Sequence, residues 1–122
     1  MIEMANLDEA IPYPKQLQGK EGPVVLINTS VAPEGKVDEV LAAWKTDSQH
    51  FQKQPGFIST QLHRGTGGSR VLVNVAVWES TAQLAAAVGT EAFRKSLANY
   101  PDGTVSHPHV FQKVAGEGVC VA

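Results

Sequence analysis

A single cysteine, Cys120, stands two residues from the end of the sequence, so an internal disulfide is impossible. No base or cation beside it would activate the thiol, and it reads as incidental. No apolar run approaches the length of a membrane span. Basic residues number 10 against 12 acidic ones, for a net charge of −2, and they form no run or stripe. Nucleic acid, whose binding rests on clustered Lys and Arg, is thereby disfavoured as a partner. The opening MIEMANLDEA lacks the apolar core of a secretory signal, so a cytoplasmic location is expected. Catalytic signatures are missing as well: there is no HExxH, GxSxG or CxxC. Gly65-Thr66-Gly67-Gly68-Ser69 is glycine-rich but leads into a strand. It lacks the helix N-terminus that holds phosphate and reads as a hairpin loop.

What is present is one domain's worth of chain: 122 residues, 43% hydrophobic and 18% charged, with a modest core that self-association would extend. Residues 1–22 read as a polar arm with little structure of its own, in which Ile11, Tyr13 and Leu17 could dock on a neighbour or over a pocket. Residues 23–115 read as the folded domain and 116–122 as a tail. Within the domain, PVVLINTSV (Pro23 to Val31) is a strand by composition. Val37, Val40, Leu41, Trp44 and Phe51 form one helical stripe, which Gln54-Pro55-Gly56 stops. FISTQLHR (57–64) and VLVNVAVW (71–78) read as a hairpin. Ser80-Thr81-Ala82-Gln83 is a capping box, and Thr90 caps a second helix carrying Phe93 and Leu97 on one side. HVFQKV (109–114) reads as the last strand. The order β-α-β-β-α-β predicts an α+β fold, the ferredoxin-like arrangement with an antiparallel sheet.

The 71–78 strand is apolar on both faces, with Val71, Val73, Val75 and Val77 on one and Leu72, Asn74, Ala76 and Trp78 on the other. Antiparallel sheets often leave one face in water. Here one face is expected to carry the helices and the other to meet a second subunit. Asn is uncommon in mid-strand and a buried amide needs partners, so Asn74, with Trp78 four residues on, marks a candidate site. Asn28 is a second mid-strand amide. Arg94 could meet an organic anion, and His63 could carry a proton. His50, near the polar boundary of its helix, reads as solvated. His107 and His109 share a strand face, as metal ligands can, but no third ligand is evident.

From Pro23 to Val114 the chain resembles the antibiotic biosynthesis monooxygenase family of the dimeric α/β barrel superfamily. The carriers are INTSVAPEGKVDEVLAAW, QPGF with STQLHR, and NVAVWES followed by EAFRKSL. The resemblance implies a homodimer with a pocket between sheet and helices in each subunit. It implies oxidation of a small electron-rich aromatic, quinol or polyketide-like substrate by molecular oxygen, with no cofactor: no metal, flavin or haem. It further implies that Asn74 and Trp78 hold a substrate oxygen with help from Arg94. Asn28, His63, Leu84 and Phe93 are expected to line the substrate site. Some relatives carry a tyrosine where this chain has Leu84. A haem-degrading branch shares Asn28 and Trp78, but its ligating histidine falls near Leu97. A binding or regulatory domain without catalysis is the alternative.

Overall fold

The structure, a computed structural model, describes residues 2–121. Strand β1 (Glu3–Met4) and the short helix α1 (Tyr13–Gln16) belong to the arm. The domain follows as β2 (Val24–Val31), α2 (Val37–Phe51), β3 (Phe57–Arg64), β4 (Val71–Trp78), α3 (Thr81–Val88), α4 (Glu91–Ser96) and β5 (Val105–Phe111). A 3₁₀ turn at Leu97–Asn99 follows α4. The sheet order is β1-β5-β2-β4-β3, antiparallel except for the β1–β5 pair. The ferredoxin-like α+β fold is therefore present, with the arm's strand added at one edge.

Local chemistry accounts for the elements. Asp38 and Glu39 in the first turn of α2 and His50 in its last suit the helix dipole. The Ser80 side chain accepts from the Gln83 amide and donates to Gln83 Oε1, closing the capping box of α3. Thr90 caps α4 by accepting from Phe93 N–H.

The last strand begins earlier than the sequence suggests, at Val105, and runs through Pro108. Proline is tolerated there because β1 pairs only with Val105 and Ser106, which leaves the rest of β5 at an edge. The open edge is covered by the arm. Gln16 Nε2 donates to the Val110 carbonyl (2.9 Å), and Val110 N–H donates to Gln16 Oε1 (2.9 Å). The arm is thus more structured than its composition indicates, while Ile11 stays exposed at 42%.

Strand parity sorts the side chains. Both buried clusters draw only on the face that holds Leu72, Ala76 and Trp78. One packs these strands with Leu84 and Ala87 of α3, the other with Val40 of α2. Val71, Val73, Val75 and Val77 lie on the opposite face, beside Val25 and Ile27 of β2, and remain half-buried. Trp78 is at the centre of the helix-side layer, edge-on to Phe51 and Phe57 with ring centroids 5.9 and 5.5 Å away. Each such pair contributes about 1 kcal/mol beyond burial. No helix among the described residues is long and apolar enough to cross a membrane.

Candidate functional site

The helix-covered face of the sheet does not close completely. A cavity of about 100 Å³ lies between it and α2, α3 and α4. Hydrocarbon makes most of its wall, including Leu84, Phe93 and Leu97. The polar groups on the wall come from both the sheet and the helical layer.

Asn28 and Asn74 face each other across β2 and β4 in direct register, which puts their Cβ atoms about 5 Å apart. Each amide oxygen is occupied by a hydroxyl from a flanking strand. Ser106 Oγ donates to Asn28 Oδ1 (2.6 Å), and Thr60 Oγ1 donates to Asn74 Oδ1 (2.5 Å). The sheet therefore fixes both amides and leaves their NH₂ ends toward the cavity, without partners among the described residues. Trp78 adds a third donor. It is 1% exposed, and its Nε1 is buried with no hydrogen-bond partner among the described residues. A buried donor without a partner is costly, of the order of 1–3 kcal/mol. Amide and indole N–H groups on one wall are the kind of donors that can hold an accepting oxygen, such as a carbonyl, a phenolate or an enolate.

The complementary group comes from α2. Asp47 also lines the cavity, is buried, and accepts a 2.6 Å hydrogen bond from the Tyr100 hydroxyl. Burial raises its pKa above the usual carboxylate range, against the lowering effect of the Ser96 and Tyr100 hydroxyls and of His50. Burial first, then the Asp47 charge and hydrogen bond, push the Tyr100 phenol well above its ordinary value, so it remains a donor. Sequence inspection missed Asp47. The signal was there: 47 falls on the α2 stripe, three residues after Trp44 and four before Phe51, so a carboxylate sits where the pattern asks for an apolar residue.

Of the residues singled out from sequence, the structure brings Asn28, Asn74, Trp78, Leu84 and Phe93 to this cavity. It does not bring Arg94 there. Arg94 is exposed, and its Nη2 donates to the Gly89 carbonyl (3.0 Å), closing the end of α3. His63 is exposed too and lies on the valine face, because it pairs with Val73 while Leu62 pairs with Asn74. His50 is half-buried with its Nε2 3.1 Å from Thr90 Oγ1, rather than solvated. His107 Nδ1 lies against the Thr29 carbonyl (3.1 Å) and His109 Nε2 against Gln16 (3.2 Å). No group of three metal-binding side chains occurs among the described residues.

An α+β ferredoxin-like domain whose sheet holds buried donors under a helical layer defines a class of small-molecule enzymes and binding proteins. Residues 23–99, more than half of the chain, match the family model for antibiotic biosynthesis monooxygenases, and the chain belongs to that family. Among solved structures it is similar to a proposed monooxygenase from Shewanella loihica PV-4, with 29% identity and a TM-score of 0.68 over 80% of this chain and 100% of that one. It also shares the fold of SnoaB, a cofactor-independent oxygenase from Streptomyces nogalater (20% identity, TM-score 0.72, 80% of this chain and 99% of that one). A proposed antibiotic biosynthesis monooxygenase from Bordetella bronchiseptica shares it as well (17% identity, TM-score 0.67, 78% and 100%). No curated protein matches the sequence.

Proposed function

We propose that the chain is a cofactor-independent monooxygenase, oxidising a small electron-rich aromatic of the phenol, anthrone or quinol class with molecular oxygen. The observation that carries this reading is the pairing of three inward donors, Asn28, Asn74 and Trp78, with one buried carboxylate, Asp47, on a single apolar cavity. Such a set suits a substrate whose C–H or O–H must ionise next to an oxygen that takes up the charge.

For an anthrone-type CH₂ the steps are these. Asp47 takes the proton from carbon, and the charge spreads through the ring to the oxygen held by the donors. The carbanion passes one electron to O₂, giving a substrate radical and superoxide. The two combine in a C–O bond, and the proton on Asp47 returns to give a hydroperoxide. Loss of water, which removes the second C–H proton, leaves a ketone: CH₂ and O₂ become C=O and H₂O. The raised pKa of Asp47 makes it a stronger base than a solvated carboxylate. The apolar wall keeps bulk water from the radical pair.

A homodimer is part of the same proposal. The valine face of the sheet has the apolar patterning of an interface, and a second copy is its natural cover. The competing reading, a domain that binds a small molecule without turning it over, keeps the donors and gives Asp47 no chemical role.

Oxygen uptake with anthrone in the presence of a metal chelator tests the choice. Wild type should consume oxygen. Asp47→Asn should lower kcat by about 10²–10³-fold and Asn74→Ala by about 10²-fold. Saturable anthrone binding without enzyme-dependent oxygen uptake would leave the binding domain as the answer.

A further inference from the structure

The cavity has a wall that the family match does not include. Ile2, Met4 and Tyr13 line it together with the domain's own residues, and Leu17 packs against the buried cluster around Trp78. All four precede residue 23, where the match begins. The space they help to enclose is about 100 Å³. An engineered protein cavity of ~150 Å³ holds benzene. A fused aromatic therefore enters only if part of this wall moves.

The arm is the part of that wall that precedes the matched domain. Its first residues are held by Glu3 N–H on the Thr104 carbonyl and Ala5 N–H on that of Ser106, both 2.8 Å. Gln16 latches α1 to the open edge of β5 through the two Val110 hydrogen bonds and His109. Glu21 pins the far end through Thr81, at 2.9 Å between side chains. Between latch and pin lies Gly19-Lys20, free of regular structure. The middle of the arm is thus held by one side-chain amide and by the packing of Leu17 against the cluster around Trp78.

Tyr13 is the polar group that the arm takes into the cavity wall, and its hydroxyl has no hydrogen-bond partner among the described residues. Burial pushes its pKa upward, which keeps it a proton donor. In the proposed function the sheet donors hold one ligand oxygen, so a donor on the arm would select for another.

We propose that residues 2–22 form a lid belonging to this chain in particular, and that Tyr13 is a specificity-determining residue that donates a hydrogen bond to a second oxygen of an aromatic ligand. The proposal rests on the cavity being the ligand site and needs no turnover.

Its test is anaerobic titration with 1,5-dihydroxynaphthalene and 1-naphthol, which differ by one oxygen. Both tryptophans, Trp44 and Trp78, line the cavity, so intrinsic fluorescence reports on its occupancy. Tyr13→Phe should weaken the two-oxygen ligand about 5–10-fold, the worth of one neutral hydrogen bond, and change 1-naphthol less than twofold. Gln16→Ala, which releases the latch, should speed dissociation of both ligands at least threefold in stopped flow. Equal effects of Tyr13→Phe on the two ligands, unchanged dissociation in Gln16→Ala, or no saturable binding to wild type would each overturn the proposal. Absence of oxygen uptake alongside a Tyr13-dependent difference would remove the oxygenase reading and leave the lid standing. Oxygen uptake indifferent to Tyr13→Phe would do the reverse.

Discussion

The hydrogen bond between Tyr100 and Asp47 bears directly on the role proposed for the carboxylate. The Tyr100 hydroxyl stabilises the carboxylate and so holds its pKa below what burial alone would produce. Tyr100→Phe therefore raises the pKa further. In a pH–rate profile the acid limb, where Asp47 protonates and activity falls, should move to higher pH in this variant; an unmoved limb would assign the limb to another group. The same carboxylate bears on stability. Its folded pKa lies above the unfolded value, so folding takes up a proton. The associated stability is complete below the unfolded pKa and is lost as pH rises through the folded one. Asn at 47 keeps an acceptor for Tyr100 and carries no charge. Asp47→Asn should thus melt higher than wild type at pH 7–8 and match it more closely near pH 3, as thermal melts across pH would show. A gain in stability with a loss of turnover is the signature of a functional buried charge. At this scale the sequence was legible where alternation decides direction. Asn74 and Trp78 could be put on one face because strand side chains alternate strictly, whereas the pairing of Asn28 with Asn74 depends on a register that alternation does not give. Arg94 could not be placed, because a six-residue helix turns a long side chain either way, and Asp47 was hidden by the apolar stripe it interrupts.

Among the elements, those with strong local signals matched the expected ones and those made by tertiary contact did not. The capping box, the α2 stripe and the hairpin strands rest on their own residues. Strand β1 has two residues and exists through its pairing with β5, and α1 is four residues fixed by Gln16 and the packing of Leu17. Neither carries a period that a sequence could display. Pro108 masked the first half of β5 in the same way, since proline tells against a strand until an edge is known to lie there. The junction between α2 and β3 offers a direct test of how tightly elements are set. Gly56 has φ +88°, and a Cβ there would fall 2.5–2.6 Å from Gln83, the residue that completes the α3 cap. Gly56→Ala should destabilise the fold by about 2 kcal/mol, from left-handed backbone strain and disturbance of the cap. Chemical denaturation measures this, and a cost near zero would mean that the junction is free to relax.

For the whole molecule the decisive feature is a sheet that is apolar on two faces and covered by its own chain on one. The helical layer buries Trp78, Leu72 and Ala76 and leaves room for the site. Across the sheet, Val25, Ile27, Val71, Val73, Val75 and Val77 lie side by side through the β2–β4 register, with the edge strands adding polar residues such as Gln61 and His107. Continuous apolar surface rimmed by polar groups is the form of a subunit contact rather than of a wetted face. Val75 pairs with Ile27 on one side and Gln61 on the other, so it is central to that surface, on the face of β4 opposite the cavity. A charge there has no partner to pair with once a second copy covers it, and burial of an unpaired carboxylate costs several kcal/mol. Light scattering should give wild type twice the 13.0 kDa chain mass. Val75→Glu should give a single chain mass with its circular dichroism intact. A wild type that runs as a single chain at micromolar concentration, or a Val75→Glu variant that stays paired, would show that the valine face meets something else. If the monomeric variant still binds 1-naphthol as wild type does, each subunit holds a complete site; loss of binding together with the dimer would mean that the partner contributes to it.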